Sequence, residues 1–139
     1  MANREMEDVR QLVPTGKADL ARAQAAVRAG YPAVAPVLYE LVEWLQDYNW
    51  PVARILVPFL RSIGAPLVPH LWRVLQSDDD VWKYWVMNLL ISSLSKDVAS
   101  EFRRELERLC YSPEPNEKQG ELDEQARQLL EQFGWLPNA

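Results

Sequence analysis

Cys110 is the only cysteine and His70 the only histidine among the 139 residues. One thiol closes no intrachain disulfide and fits a reducing compartment. With one Cys and one His, a zinc site of those ligands is excluded within one chain. A Ser-His-Asp or Cys-His arrangement would have to use His70. The five glycines stand well apart, which excludes a P-loop and a dinucleotide fingerprint. No run comes near the ~18 consecutive apolar residues of a membrane span. The longest candidate, Val81 to Ile91, is broken by Lys83 and Asn88. The opening run MANREMEDVRQLVP carries Glu5, Glu7 and Asp8, with no apolar stretch behind them, so it does not read as a secretory signal. The expectation is a cytoplasmic protein with no membrane partner, no metal and no cofactor.

Hydrophobic residues make up 48% and charged residues 25%. A chain of this length buries roughly two-thirds of its unfolded surface and needs no covalent staple. It is read as a single domain over 1–139. The net charge of −5 is unevenly placed. Residues 1–96 hold ten acids and ten bases, whereas residues 97–139 hold ten acids and five bases. An acidic surface repels a phosphate backbone, so nucleic acid is not an expected partner. A solvated helix face that keeps the chain apart from its neighbours explains the acidity most simply.

Gly and Pro punctuate the chain at helix-length intervals, and period-2 alternation is scarce. The pattern predicts an all-α chain of about seven helices. The first runs from about Asp19, a good N-cap, to Ala29, with Gly30 in the left-handed position behind it. The second covers about Ala33–Gln46, with Val34, Val37, Leu38, Leu41 and Leu45 as its stripe. The third runs from Pro51, suited to the first helical position, to Ile63. Pro58 inside it removes a backbone donor and predicts a kink. The fourth covers about Leu67–Gln76. The fifth follows Asp78-Asp79-Asp80 and ends near Leu94. The sixth follows the Ser95 cap, with Val98, Phe102, Leu106 and Leu109 facing inward. A loop containing Pro113 and Pro115 comes next. The seventh carries Leu122, Ala126, Leu129, Leu130 and Phe133.

Part of the chain repeats. Gly30-Tyr31-Pro32 recurs as Gly64-Ala65-Pro66, and AVAPVLYELV (33–42) aligns with PLVPHLWRVL (66–75). WPVARILVPFLRSI (50–63) then aligns with VWKYWVMNLLISSL (81–94), an offset of 31. Each unit, about 33–63 and 66–94, reads as a helix, an Asp-bearing turn and a second, more apolar helix. The flanks are an N-terminal cap over 1–30 and C-terminal helices over 95–139. One helix pair cannot bury its apolar face alone, so such units stack.

The Gly-x-Pro turn, the Pro-x-Leu helix, the Asp turn and the apolar second helix together resemble the HEAT repeat. This resemblance implies a HEAT-like α-α superhelix. HEAT units often begin the second helix with Val-Arg; here Arg54 is displaced by one residue in Pro51-Val52-Ala53-Arg54, and the second unit has Val81-Trp82-Lys83. More narrowly, LVPTGKADLARAQAA, EWLQDYNWPVA, GAPLVPHLWRVL and DDDVWKYWVMNLL resemble a family of small bacterial proteins, domain-of-unknown-function family 5071. That resemblance implies a fold and carries no activity.

Several residues invite a functional reading. Asp78-Asp79-Asp80 lacks the ligand spacing and closing Glu of a calcium loop and caps the next helix more simply. Glu40 and Glu43, or Asp47 across a turn, are candidate paired carboxylates, but they fall opposite the apolar stripe, where a solvated face is the default. His70 reads as a surface or packing residue. Of eleven Trp and Tyr, nine lie between Tyr31 and Trp85. Most must fill the core; Tyr39, Trp50 and Trp85 are the ones open to interface use.

In HEAT-like stacks the second helices line one face, usually the concave one. Arg54 and Arg61 are seven apart and share one side of the third helix. At the offset of 31 their equivalents are Trp85 and Ser92, and Val57 corresponds to Asn88. The candidate interaction surface is therefore Trp50, Arg54, Arg61, Trp85, Asn88 and Ser92. The plainer alternative buries Trp85 against the sixth helix and leaves the arginines solvated.

The reading is a non-enzymatic protein-interaction module, an adaptor or an immunity- or inhibitor-like partner of another protein. One alternative is a HEAT-like enzyme or nucleic-acid-processing protein, such as certain alkyl-base glycosylases, which need a basic groove with aromatics and a carboxylate. Another is a small-ligand binder with a Trp-lined pocket.

Overall fold

The computed structural model describes residues 8–136. Glu5 and Glu7 of the opening run, and the last three residues of the C-terminal segment, lie outside them. Among the described residues there is helix and no strand. Nine α-helices and five short 3-10 turns are delimited there, against the seven helices expected. Among the described residues no helix is long and apolar enough to cross a membrane. The chain splits into two compact units between Ile63 and Gly64.

The first unit holds α1 (Leu20–Ala29), α2 (Leu38–Glu43) and α3 (Pro51–Arg61). Asp19 caps α1, its carboxylate accepting the Arg22 N–H at 3.4 Å. Gly30 follows at φ 72°, a backbone that side-chain-bearing residues rarely adopt. The second expected helix is split into a 3-10 turn (Ala35–Val37), α2 and another 3-10 turn (Trp44–Gln46). Its stripe is intact, because Val34, Val37, Leu38, Leu41 and Leu45 are all buried. α1 packs on α3 through Ala23 and Ala26, both fully buried and small enough for close approach. From α3 come Val52, Ala53, Leu56, Val57 and Leu60. Pro51 opens α3, and Pro58 stands inside it with its ring exposed.

The second unit begins at Gly64 (φ 81°) and a 3-10 turn. It contains α4 (Val68–Leu75), α5 (Asp80–Leu89), α6 (Lys96–Ala99), α7 (Arg103–Tyr111), α8 (Pro115–Gln119) and α9 (Leu122–Gln132). Asp79 caps α5, accepting the Trp82 N–H at 3.0 Å, and Ser95 caps α6 through Val98. The sixth expected helix is α6 and α7 joined by a 3-10 turn (Ser100–Phe102). α9 packs on α5, α7 and α8, and Leu122, Ala126, Leu129, Leu130 and Phe133 are all buried, as are Leu106 of α7 and Val86 of α5. Each fully buried leucine of this set contributes about 2 kcal/mol of transfer free energy. Trp72 and Phe102 meet with ring centroids 5.0 Å apart.

The expected loop around Pro113 and Pro115 is corrected: it contains α8. Pro115 takes the first helical position, where its missing N–H costs nothing. Glu117 reaches back to the Glu114 N–H at 2.8 Å, tying off the N-terminus.

Candidate functional site

One candidate site lies in the first unit. Residues 13–18 form a loop pinned at several points. The Thr15 N–H and hydroxyl both donate to Asp19 Oδ2 at 2.9 Å, and Arg22 donates to the Val13 carbonyl at 3.4 Å. The Val52 N–H donates to the Lys17 carbonyl at 3.1 Å, which ties the loop to the first turn of α3. These bonds fix Val13 and the buried Pro14 as one wall.

The opposite wall comes from α2 and the turn behind it. Asp47 Oδ1 accepts the Asn49 N–H at 2.8 Å, and the Trp50 N–H bonds the Asp47 carbonyl at 3.1 Å. That side-chain-locked turn sets Trp50 just ahead of Pro51. Trp50 then meets Trp44 with centroids 5.6 Å apart and planes at 69°. Edge-to-face contact is a favoured geometry for two rings and holds both. Between the walls lies an open groove of about 580 Å³, lined by Val13, Pro14, Trp44, Trp50, Gln46 and the two carboxylates Glu40 and Glu43.

Glu40 and Glu43 are three apart in α2, so they share one face of it. Their place opposite the apolar stripe predicts a solvated pair; in the structure both are half-buried at the rim of this groove. One cation already reaches the rim, with Arg10 Nη1 lying 3.4 Å from Glu40 Oε2. Between Arg28 and Arg54 the sequence holds Glu40, Glu43 and Asp47 and no Lys or Arg. That base-free stretch, containing Trp44 and Trp50, is the signal that marks the groove in the sequence.

The residues of the expected stripe fall as follows. In the first unit Trp50 pairs with Trp44, and Arg54 lies over the Tyr48 ring at 5.2 Å. Arg61 is exposed at the end of α3. In the second unit Trp85 is half-buried and packs edge-on to Tyr84 at 5.2 Å. Asn88 donates to Gln125 of α9 at 3.3 Å. The Ser92 hydroxyl donates to the Asn88 carbonyl, and its own carbonyl accepts from Gln132 at 2.8 Å. α9 therefore bonds the face that carries Asn88 and Ser92.

The second unit also holds a charged cluster that the sequence did not announce. Lys83 is 8% exposed and lies 3.5 Å from Asp80. Asn116 donates to Asp80 at 2.9 Å. Arg108 bonds both Glu105 and the buried Glu117. This cluster joins α5, α7 and α8.

His70 is half-buried. Its burial first, and the Arg73 charge second, hold its pKa below the ordinary 6.5. Burial pushes the Cys110 thiol up, with Arg127, Asp123 and Glu124 as its charged neighbours. Among the described residues no three His, Cys, Asp or Glu side chains converge on a metal-sized point.

An all-helical protein with a tryptophan-walled, carboxylate-rimmed groove is the class these observations define. The family model described as "Domain of unknown function (DUF5071)" matches residues 12–130, and the chain belongs to that family. No curated protein matches the chain.

Proposed function

We propose that the chain is a non-enzymatic protein-interaction module of the cytoplasm, and that the groove of its first unit seats a positively charged side chain of a partner protein. The observation that carries this reading is the lining itself: two carboxylates at the rim and two tryptophans in the wall. Carboxylates and indole faces both attract a cation, one by charge and hydrogen bonding, the other through the ring quadrupole. The pinned loop at Val13–Pro14 leaves little of the wall to be ordered on binding, which lowers the entropic cost. Phosphate-rich partners are disfavoured by the same carboxylates.

The HEAT-like reading is supported by the two helix pairs. Each is preceded by a glycine at positive φ and a proline-bearing 3-10 turn, and in each the second helix buries residues of its own, Val52, Ala53, Leu56, Val57 and Leu60 in the first and Trp82, Val86 and Met87 in the second. We extend this to a HEAT-like superhelical stack.

The test is an array of short peptides graded in charge, probed with the full chain. Binding is expected to favour basic peptides and to weaken as salt rises from about 0.05 to about 0.5 M. The double variant Glu40→Gln/Glu43→Gln should lose that preference in a chain that still folds. Equal binding to acidic and basic peptides would overturn the reading.

A further inference from the structure

We infer that the groove of the first unit recognises arginine in particular, as the guanidinium of an exposed arginine on a partner protein; this deepens the proposed function and rests on it. Arg10 supplies the first observation. Its guanidinium lies 3.4 Å from Glu40, so a guanidinium can approach the rim from solvent. That contact reaches solvent, with 63% of the Arg10 side chain and 31% of the half-buried Glu40 side chain accessible. Exposed pairs of this kind hold weakly, so an incoming ligand can displace Arg10 from Glu40.

The second observation is the spacing of the acceptors. Glu40 and Glu43 stand one helical turn apart on the same face, where side chains begin about 5–6 Å from one another. A guanidinium carries five N–H donors in a flat fork and can engage two carboxylates in its own plane. An ammonium is a compact, strongly hydrated point charge and gives up more hydration on entering.

The third is the wall. Trp44 and Trp50 cross at 69°, so their faces turn in different directions and one of them can lie parallel to a flat cation. Guanidinium stacks on an indole and forms in-plane hydrogen bonds at the same time, whereas an ammonium has no plane to offer. The volume of about 580 Å³ exceeds one side chain and leaves room for the ligand residues on either side. Val13 and Pro14 give those neighbours an apolar surface.

The experiment uses the full chain labelled with ¹⁵N and two probes, acetyl-alanyl-arginyl-alanine amide and its lysyl counterpart. The indole N–H signals of Trp44 and Trp50 are followed as each probe is added. The arginyl probe is expected to shift both signals and to bind about fivefold tighter than the lysyl probe. Glu43→Gln should weaken the arginyl probe by at least about fivefold in a chain that still folds. If the lysyl probe binds as tightly as the arginyl probe at the same signals, the arginine inference is wrong and the proposed function stands. If neither probe moves Trp44 or Trp50, or if the shifts fall only on Trp72, Trp85 or Trp135, both are wrong.

Discussion

Arg108 holds Glu117 with both terminal nitrogens, Nη1 to Oε1 at 3.1 Å and Nη2 to Oε2 at 2.8 Å. Glu117 is 5% exposed, and its Oε1 also accepts the Glu114 N–H. One pair thus fastens the short α8 to α7 and completes its N-terminus. Removing Arg108 would leave a buried carboxylate uncompensated, which is costly, although the exposure of the arginine discounts the loss. Arg108→Ala is expected to destabilise the chain by about 2 kcal/mol and lower the melting temperature by roughly 6 °C. A melt within a degree of wild type would show that the pair contributes nothing.

Glu117 also sets an acid dependence. The Arg108 hydrogen bonds come first among the causes that hold its pKa below the ordinary 4.5, with burial opposing them. A carboxylate with a depressed folded pKa binds its proton more readily in the unfolded chain. Its contribution is present above about pH 4.5 and is lost as pH falls through the folded value. Denaturant titrations between pH 6 and pH 3 should show wild-type stability falling toward acid. Glu117→Gln should be less stable at pH 6 and show a shallower fall. Parallel curves for the two proteins would contradict this.

His70 gives a single clean titration, being the only histidine. Burial and Arg73 disfavour its charged form, so its folded pKa lies below 6.5. Proton NMR of the imidazole should give a midpoint below that value. The linked stability is full above about pH 6.5 and declines as pH drops through the folded pKa. His70→Gln should remove this part of the pH dependence and leave the acid limb of Glu117. A midpoint at or above 6.5 would contradict this.

How much of this could be read from the sequence depends on how local each cause is. Asp19, Asp79 and Ser95 were legible as caps because each bonds a backbone N–H three residues on. The stripes of α2 and α9 were legible because burial follows helical period. α8 was missed because five residues show no stripe and its anchor, Arg108, sits in another helix. Lys83 read as a polar break in an apolar helix; its acidic neighbourhood includes Glu117, far along the chain. The groove divides the same way. Its carboxylates and Trp50 were singled out, but the Val13–Pro14 wall depends on bonds to Asp19 and Arg22 that no periodic pattern announces. Arg54, expected beside Trp50 on one surface, stacks on Tyr48 because the Asp47 turn brings that ring to it.

Pro58 gives a test of helix energetics apart from any site. It lies inside α3, exposed, and has no N–H to donate to the Arg54 carbonyl. Alanine restores the donor and has the best helix propensity, at the cost of a more flexible unfolded chain. Pro58→Ala is therefore expected to stabilise the chain by about 1 kcal/mol. A lower melting temperature would mean that the proline fixes a helix path on which the packing of Leu56, Val57 and Leu60 depends.

The last prediction concerns Arg10. If the groove reads guanidinium, the Arg10–Glu40 contact competes with the ligand for one of its two carboxylates. An exposed pair contributes a few tenths to about 1 kcal/mol, which corresponds to about a twofold to fivefold change in affinity. Arg10→Gln should therefore bind the arginyl probe about two to three times more tightly than wild type. Fold stability should fall by no more than that same contribution, because the Arg10 side chain is exposed. The gain should disappear in the Glu40→Gln background, where Arg10 has no carboxylate to occupy, and that non-additivity separates competition from a general change in charge. A gain of equal size in both backgrounds would mean that Arg10 acts only through net charge, and a weaker complex would mean that Arg10 helps to hold the ligand.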